Sequence, residues 1–209
     1  MKDQTTVDIL RQIAQFSQRH GDQIHKSLTT FFLKGKKLVA GDVSKSLGDW
    51  CVFEFPVHPL DTFIRRMEQR RTFLERMGFL MTCMSKVALG DGTILHIPQA
   101  QFGIRPNEKY GQFLKLFIRS RIQVICPSLL PGYLLSTGSS YHYIGTNLIG
   151  VEEAMRVWNI AMVVRDEIID EKPVDVSWLE CSIKCGYGSL QVFAEGDEPE
   201  PKVALYVSS

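Results

Sequence analysis

The residues best suited to chemistry lie in one segment, residues 134–144, which reads Leu-Leu-Ser-Thr-Gly-Ser-Ser-Tyr-His-Tyr-Ile. In a single extended strand, alternate side chains share one face. Glycine lets a ligand approach the backbone, and hydroxyl and imidazole groups donate hydrogen bonds to phosphate oxygens. The spacing therefore predicts a nucleotide-binding face made of Ser136, Gly138, Ser140 and His142.

Two acidic residues stand on either side of this segment in the chain. Glu54 lies within an apolar run, residues 51–55, that predicts a strand ended by Pro56. Asp175 follows a valine. Carboxylates hold divalent ions because Mg²⁺ prefers oxygen ligands and bridges them to substrate phosphates. Glu54 is equally consistent with a solvent-facing position, and Asp175 with the cap of a helix that begins near Val176.

The order of these signals resembles the archaeo-eukaryotic primase superfamily, which includes primase-polymerases and diverged bacterial members. That family has an acidic strand motif, commonly two acids one residue apart, then Ser-any-His after a glycine-containing turn, then an apolar residue followed by aspartate. Ser140-Tyr141-His142 is similar to the second motif and Val174-Asp175 to the third. The segment 186–190 is similar to the final core strand of some bacterial primase-like proteins, so the resemblance covers roughly residues 50–193.

The resemblance implies an α+β fold with a primase-like mixed or antiparallel sheet flanked by helices. It implies a nucleoside triphosphate bound by Ser140 and His142, and Mg²⁺ or Mn²⁺ held by Glu54 and Asp175. If the protein is catalytic, Glu54, Asp175 and His142 would be the catalytic residues of a nucleotidyl transfer in which the ions lower the charge of the reacting phosphates. DNA or RNA would then be the second partner.

Two departures from the family pattern favour a second hypothesis. Pro56 stands where the second acid is expected, and Gln191 stands where such proteins often carry an arginine. Both differences weaken the expected polymerase chemistry. The alternative is a non-catalytic module that binds a nucleotide, nucleic acid or a protein partner within a larger assembly. A serine hydrolase is not expected, because no Gly-any-Ser-any-Gly elbow is present, and neither is a P-loop.

A cluster of arginines points to nucleic acid. Residues 60–79 have helical apolar spacing, and the polar side of that helix is rich in arginine. A basic helix face can follow a phosphate backbone, although it can equally be a solvated face with ion pairs. The predicted nucleic-acid contacts are Arg65, Arg66, Arg70 and Arg71.

Apolar spacing and turn residues predict the remaining elements and the domain organisation. They are two short helices within residues 5–33, a hairpin of residues 87–89 and 93–97, helices over 108–120 and 149–164, an extended segment over 173–178, and strands after 186 and over 203–207. We expect a helical N-terminal extension over residues 1–45 and a primase-like domain over residues 46–209 that together form one compact unit.

Composition is that of an ordinary globular protein. The 209 residues are 44% hydrophobic and 22% charged, and the formal net charge of +1 requires any nucleic-acid surface to be local. The five cysteines are an odd number, and only Cys181 and Cys185 have a spacing at which two thiols could share a metal; no second pair follows them. Without a secretory signal or a membrane span in the sequence, we expect a cytoplasmic protein.

Overall fold

The computed structural model describes residues 4–19, 24–33, 51–56, 65–66, 68–69, 72–73, 79–89, 91–164, 176–191 and 199–208. The fold is α+β, as predicted: two antiparallel sheets are combined with helices. Among the described residues, no helix has the length and apolar character that crossing a membrane requires.

Among the described residues, four α-helices of ten or more residues pack against the sheets. They are α1 (Thr6–Arg19), α2 (Glu108–Phe117), α3 (Val151–Val164) and α4 (Val176–Cys185). Helix α2 is capped by Asn107, whose side chain accepts a hydrogen bond from the Tyr110 N–H at 2.8 Å. This cap satisfies a backbone donor that the first turn leaves without an intrahelical partner. The chain continues from α2 through a π-helical turn, Ile118–Ile122, and short helical turns at Gln123–Ile125 and Pro127–Leu129.

In the described part of the chain, nine strands form two sheets. They are β1 (Ile24–Leu33), β2 (Cys51–Pro56), β3 (Phe79–Leu89), β4 (Ile94–His96), β5 (Gln99–Phe102), β6 (Gly132–Ser136), β7 (Tyr141–Gly145), β8 (Ser189–Gln191) and β9 (Lys202–Val207). The first sheet has the order β2-β1-β3-β4, with β8 also paired to β3. The second has the order β5-β7-β6-β9, so β7 is an inner strand with β5 on one side and β6 on the other.

Two apolar clusters hold the elements together. The first joins the two sheets to α1 and includes Ile9, Cys83, Leu135, Ile144 and Leu190. The second packs the other face of the second sheet against α2, α3 and α4, with Trp158 as its largest fully buried side chain. The second sheet is therefore buried on both faces, and a polar side chain on β7 must find its partners inside the protein.

Several predicted elements are confirmed. Helices occur at α1, α2 and α3, strands occur at β2, β8 and β9, and β3 pairs with β4 as the predicted hairpin, with Lys86 opposite His96. The hairpin turn is closed by Asp91, whose carboxylate accepts a hydrogen bond from the Thr93 N–H at 2.8 Å. That bond keeps the pKa of Asp91 below its ordinary value.

Two secondary-structure predictions are wrong. Residues 24–33, expected to be a second N-terminal helix, form β1, which pairs with β2 on one side and β3 on the other. Threonine and phenylalanine are common in this segment and favour a strand once neighbours exist to pair with. Residues 176–178, expected to be extended, begin α4 instead. The separation of residues 1–45 from residues 46–209 stays a prediction, and β1 belongs to the same sheet as β3.

Candidate functional site

The segment expected to be one extended strand is a hairpin. Strands β6 and β7 pair antiparallel, with Leu135 opposite His142 and Ser136 opposite Tyr141. Residues that pair directly lie on the same face of a sheet. Ser136 therefore shares a face with Tyr141, and His142 lies on the opposite face. The expectation that Ser136 and His142 line one surface is wrong, because the chain reverses between them.

The reversal depends on a glycine and on hydroxyl groups. Gly138 has a φ of +93°, a conformation that other residues adopt only with strain. The Thr137 and Ser140 hydroxyl oxygens are 2.8 Å apart, and the Thr137 hydroxyl also accepts a hydrogen bond from the Ser140 N–H at 3.1 Å. Backbone closure is completed by the Thr137 N–H, which donates to the Ser140 carbonyl at 3.0 Å. The Ser140 hydroxyl therefore already helps to hold the turn.

His142 is buried on the face of β7 that packs into the first apolar cluster. Its neighbours on that face are Leu135, directly opposite, and Ile144, two residues along the strand. The side chain is 4% exposed, and its Nδ1 has no hydrogen-bond partner among the described residues. Burial lowers the pKa of His142 to about 3. The ring is consequently neutral at physiological pH and acts as a hydrogen-bonding group, not as a cation.

Two glutamines on the adjacent strand share this face. Gln101 of β5 lies directly opposite His142, and Gln99 lies opposite Ile144. Gln99 is 1% exposed; its Nε2 donates to the Cys83 carbonyl at 3.3 Å, whereas its Oε1 has no hydrogen-bond partner among the described residues. Sequence reasoning missed both residues. The available signal was two amides one residue apart in an apolar segment.

A second polar group adjoins Gln99. The Ser85 hydroxyl accepts a hydrogen bond from the Gly188 N–H at 2.9 Å and lies 3.1 Å from His96 Nδ1. A hydroxyl can donate one hydrogen bond and accept two, so the tautomer of His96 sets which of the two atoms donates. Burial, and then the charge of Lys86, lower the pKa of His96 to about 4. The ring packs edge-on against Trp158 at 6.0 Å between centroids.

The predicted carboxylates lie elsewhere or outside the described residues. Glu54 is in β2, the edge strand of the first sheet, paired with Leu28 of β1. Asp175 lies outside the described residues, immediately before α4. A helix does begin at Val176, the position where a capping role for Asp175 was considered. The assignment of Glu54 and Asp175 as metal ligands or catalytic residues stays a prediction.

The predicted nucleic-acid contacts are described in part. Arg65 and Arg66 are helical and exposed. This exposure fits a phosphate contact and fits a solvated helix face equally well. Arg70 and Arg71 lie outside the described residues. The role of all four arginines stays a prediction.

A divalent metal does not fit the described surroundings of His142. Within the described part of the chain, no group of three or more His, Cys, Asp or Glu residues is placed to hold a metal ion. The polar neighbours of His142 on its face are the amides of Gln99 and Gln101. Magnesium is usually bound through carboxylates and substrate phosphates, so a catalytic ion here depends on carboxylates that come from other parts of the chain.

Comparison with known proteins gives one family. A family model described as AEP-like, archaeo-eukaryotic primase 1D-like, matches residues 60–202. The matched residues include Gln99, Gln101, His142 and Asp175, whereas Glu54 precedes them. A comparison with curated proteins found no match.

Proposed function

Because the chain belongs to the AEP-like family of archaeo-eukaryotic primase 1D-like proteins, we propose that it binds a nucleotide at the β6–β7 hairpin. The observation that carries this proposal is the buried, neutral ring of His142, whose Nδ1 has no hydrogen-bond partner among the described residues. An unpaired buried polar atom destabilises a fold by about 1–3 kcal/mol. A ligand that supplies the missing hydrogen bond would remove that penalty.

The hairpin turn offers the remaining contacts. Gly138 and Ser139 are exposed at its tip, and glycine leaves the backbone N–H groups open to an anionic oxygen. The Ser140 hydroxyl is 2.8 Å from that of Thr137, so its part in binding is to shape the turn. Ser136 lies on the other face, and we assign it to the rim of the same turn.

Nucleic acid is the second proposed partner. Arg65 and Arg66 are helical and exposed, and Arg70 and Arg71 follow them closely in the sequence; four arginines can neutralise several backbone phosphates. A solvated helix face would not distinguish DNA or RNA from other polyanions. Binding that falls steeply with salt and is lost in an Arg65→Ala, Arg66→Ala variant would support this part of the proposal.

Metal-dependent nucleotidyl transfer is the second candidate function. It is favoured by the order of Ser140-Tyr141-His142 and Asp175 within the matched residues. Since the polar neighbours of His142 across β5 are amides, the transfer requires Glu54 and Asp175 to supply the carboxylates for Mg²⁺ or Mn²⁺. The alternative is a binding module without catalysis. It is favoured by Pro56, which stands where the family pattern has a second acid.

One pair of assays separates these functions. Nucleotide binding is measured by equilibrium dialysis with the four ribonucleoside triphosphates, and we expect His142→Ala to weaken it at least about tenfold, equivalent to about 1.4 kcal/mol. Tyr143→Phe is the matched control. Tyr143 is the next residue of the same strand but lies on the other face, where its hydroxyl donates to the Leu129 carbonyl at 2.6 Å. The substitution removes that hydrogen bond. Equal losses in the two variants would contradict the proposed site.

Incorporation of labelled nucleotide onto a primed template in Mn²⁺ tests catalysis. Loss of product in both Asp175→Ala and His142→Ala supports nucleotidyl transfer. Product that survives both substitutions would rule out the assigned residues, and His142-dependent binding without incorporation supports the binding module.

A further inference from the structure

We infer that the site beside His142 is independent of divalent metal and receives an uncharged hydrogen-bonding part of the nucleotide, a base edge or a sugar hydroxyl, through the amide of Gln99 and the ring of His142. This inference rests on the proposed nucleotide binding and specifies which part of the ligand enters. It follows from the placement of the two residues and from their buried polar atoms, which have no partner among the described residues.

The two side chains are brought together by strand register. Gln101 and His142 form a direct pair across β5 and β7, which puts Gln99 and His142 at diagonal positions on the same face. Diagonal neighbours in an antiparallel pair have Cα atoms about 7–8 Å apart, within reach of one ligand group between long side chains. Both side chains are more than nine-tenths buried. Each also keeps one polar atom, Oε1 in Gln99 and Nδ1 in His142, without a partner among the described residues.

The orientation of Gln99 decides which ligand atoms it accepts. Its Nε2 is bonded to the Cys83 carbonyl at 3.3 Å, so the amide presents Oε1, an acceptor, to the site. Oxygens of an ionised phosphate are acceptors without protons and cannot donate to Oε1. Base amino and imino groups and sugar hydroxyls can. The neutral imidazole of His142 offers either a donor or an acceptor, which suits the mixed edge of a base.

The surroundings exclude charge from this position. Apart from the amides of Gln99 and Gln101, the cluster on this face of β7 is apolar and includes Cys83, Leu135 and Leu190. An ion moved from water into such surroundings must be paired to be stable. A triphosphate or a hydrated divalent ion therefore belongs outside, at the turn, and a neutral group belongs inside.

Gly188 packs closely beside the Gln99 amide. A Cβ on Gly188 would lie 3.3 Å from Gln99 Oε1 and 2.9 Å from Trp178 Cζ2. The φ of Gly188 is not positive, so the backbone conformation itself does not require glycine. The missing side chain instead lets the Trp178 ring and the Gln99 amide pack directly against Gly188.

The experiment compares ribonucleosides with their 5′-triphosphates by isothermal titration calorimetry, in the presence of either MgCl₂ or EDTA. We expect at least one nucleoside to bind the wild-type protein within about tenfold of its triphosphate, a difference of about 1.4 kcal/mol. We also expect EDTA to leave both affinities unchanged. Triphosphate binding that EDTA abolishes, with no nucleoside binding, would overturn this inference and leave the proposed nucleotide binding intact. Absence of binding by every nucleotide would instead overturn the proposed function itself.

Substitution of Gln99 tests the residue assignment. We expect Gln99→Ala to weaken nucleoside binding at least about tenfold, and Gln12→Ala to leave it unchanged. Gln12 is a suitable control because it is a glutamine on α1 and not on β5 or β7. Its amide oxygen accepts a hydrogen bond from the Tyr133 hydroxyl at 2.9 Å. Circular dichroism reports whether each variant folds, and the wild-type comparison with EDTA depends on no variant. Equal nucleoside affinity in folded Gln99→Ala and wild type would overturn the assignment.

Discussion

Two buried histidines should make the stability of this protein strongly dependent on pH between 7 and 5. Burial lowers the pKa of His142 to about 3 and that of His96 to about 4, whereas both are near 6.5 in the unfolded chain. Between these values the unfolded state binds more protons than the folded state, so stability rises with pH. Above pH 6.5 both states hold the histidine neutral, and the free energy of unfolding is at its full value. That free energy falls as the pH decreases from 6.5 toward the folded pKa of each histidine.

The size of the effect follows from the same values. At pH 5 the unfolded histidines are protonated and the folded ones are still neutral, and pH 5 lies about 1.5 below their ordinary pKa. Since each pH unit corresponds to about 1.36 kcal/mol, each histidine removes about 2 kcal/mol of stability between pH 7 and pH 5. The pair together removes about 4 kcal/mol, which is a large part of the stability of a typical domain.

Urea denaturation at pH 7 and pH 5 measures this contribution. We compare wild type with His142→Gln, which replaces the ring by a neutral polar group. Carboxylates contribute equally to the pH dependence of both proteins, so their contribution cancels in the difference. Wild type should lose about 2 kcal/mol more than His142→Gln on going from pH 7 to pH 5. Identical pH dependence in the two proteins would show that the folded state can protonate His142, and the argument from burial would then be refuted.

Two further substitutions test the turns and the polar interior. Ser85→Ala leaves both the Gly188 N–H and His96 Nδ1 without the hydroxyl they contact, and we expect it to lower the free energy of unfolding by about 2–4 kcal/mol in urea denaturation. The control is Ser182→Ala, whose hydroxyl donates within α4 and whose loss we expect to stay below about 1 kcal/mol. Equal losses in the two variants would contradict the role of Ser85. Gly138→Ala should destabilise more than Gly92→Ala by about 1 kcal/mol or more. Both glycines have positive φ, but only at Gly138 would a Cβ come within 2.7 Å of Pro199, so a larger loss at Gly92 would refute the packing argument.

Helices and tight turns were predictable because their causes are local. The apolar spacing of α1, α2 and α3 is visible in the sequence, and Gly-Asp-Gly marks the turn between β3 and β4. Strand β1 was not predictable in the same way. Its apolar residues also fit a helix, and it is the pairing with β2 and β3, distant in the chain, that makes it a strand.

The sequence by itself determined the family resemblance, the α+β class and the importance of the Ser-Tyr-His segment, since these depend on residue types and their order. Only the tertiary structure decided which side chains share a face with His142. A shift of one residue in strand register moves every side chain to the other face, and that register depends on a turn at Gly138 and on pairing across β5, β6 and β7. For that reason Ser136 is separated from His142, whereas Gln99, 43 positions earlier in the chain, lies near it.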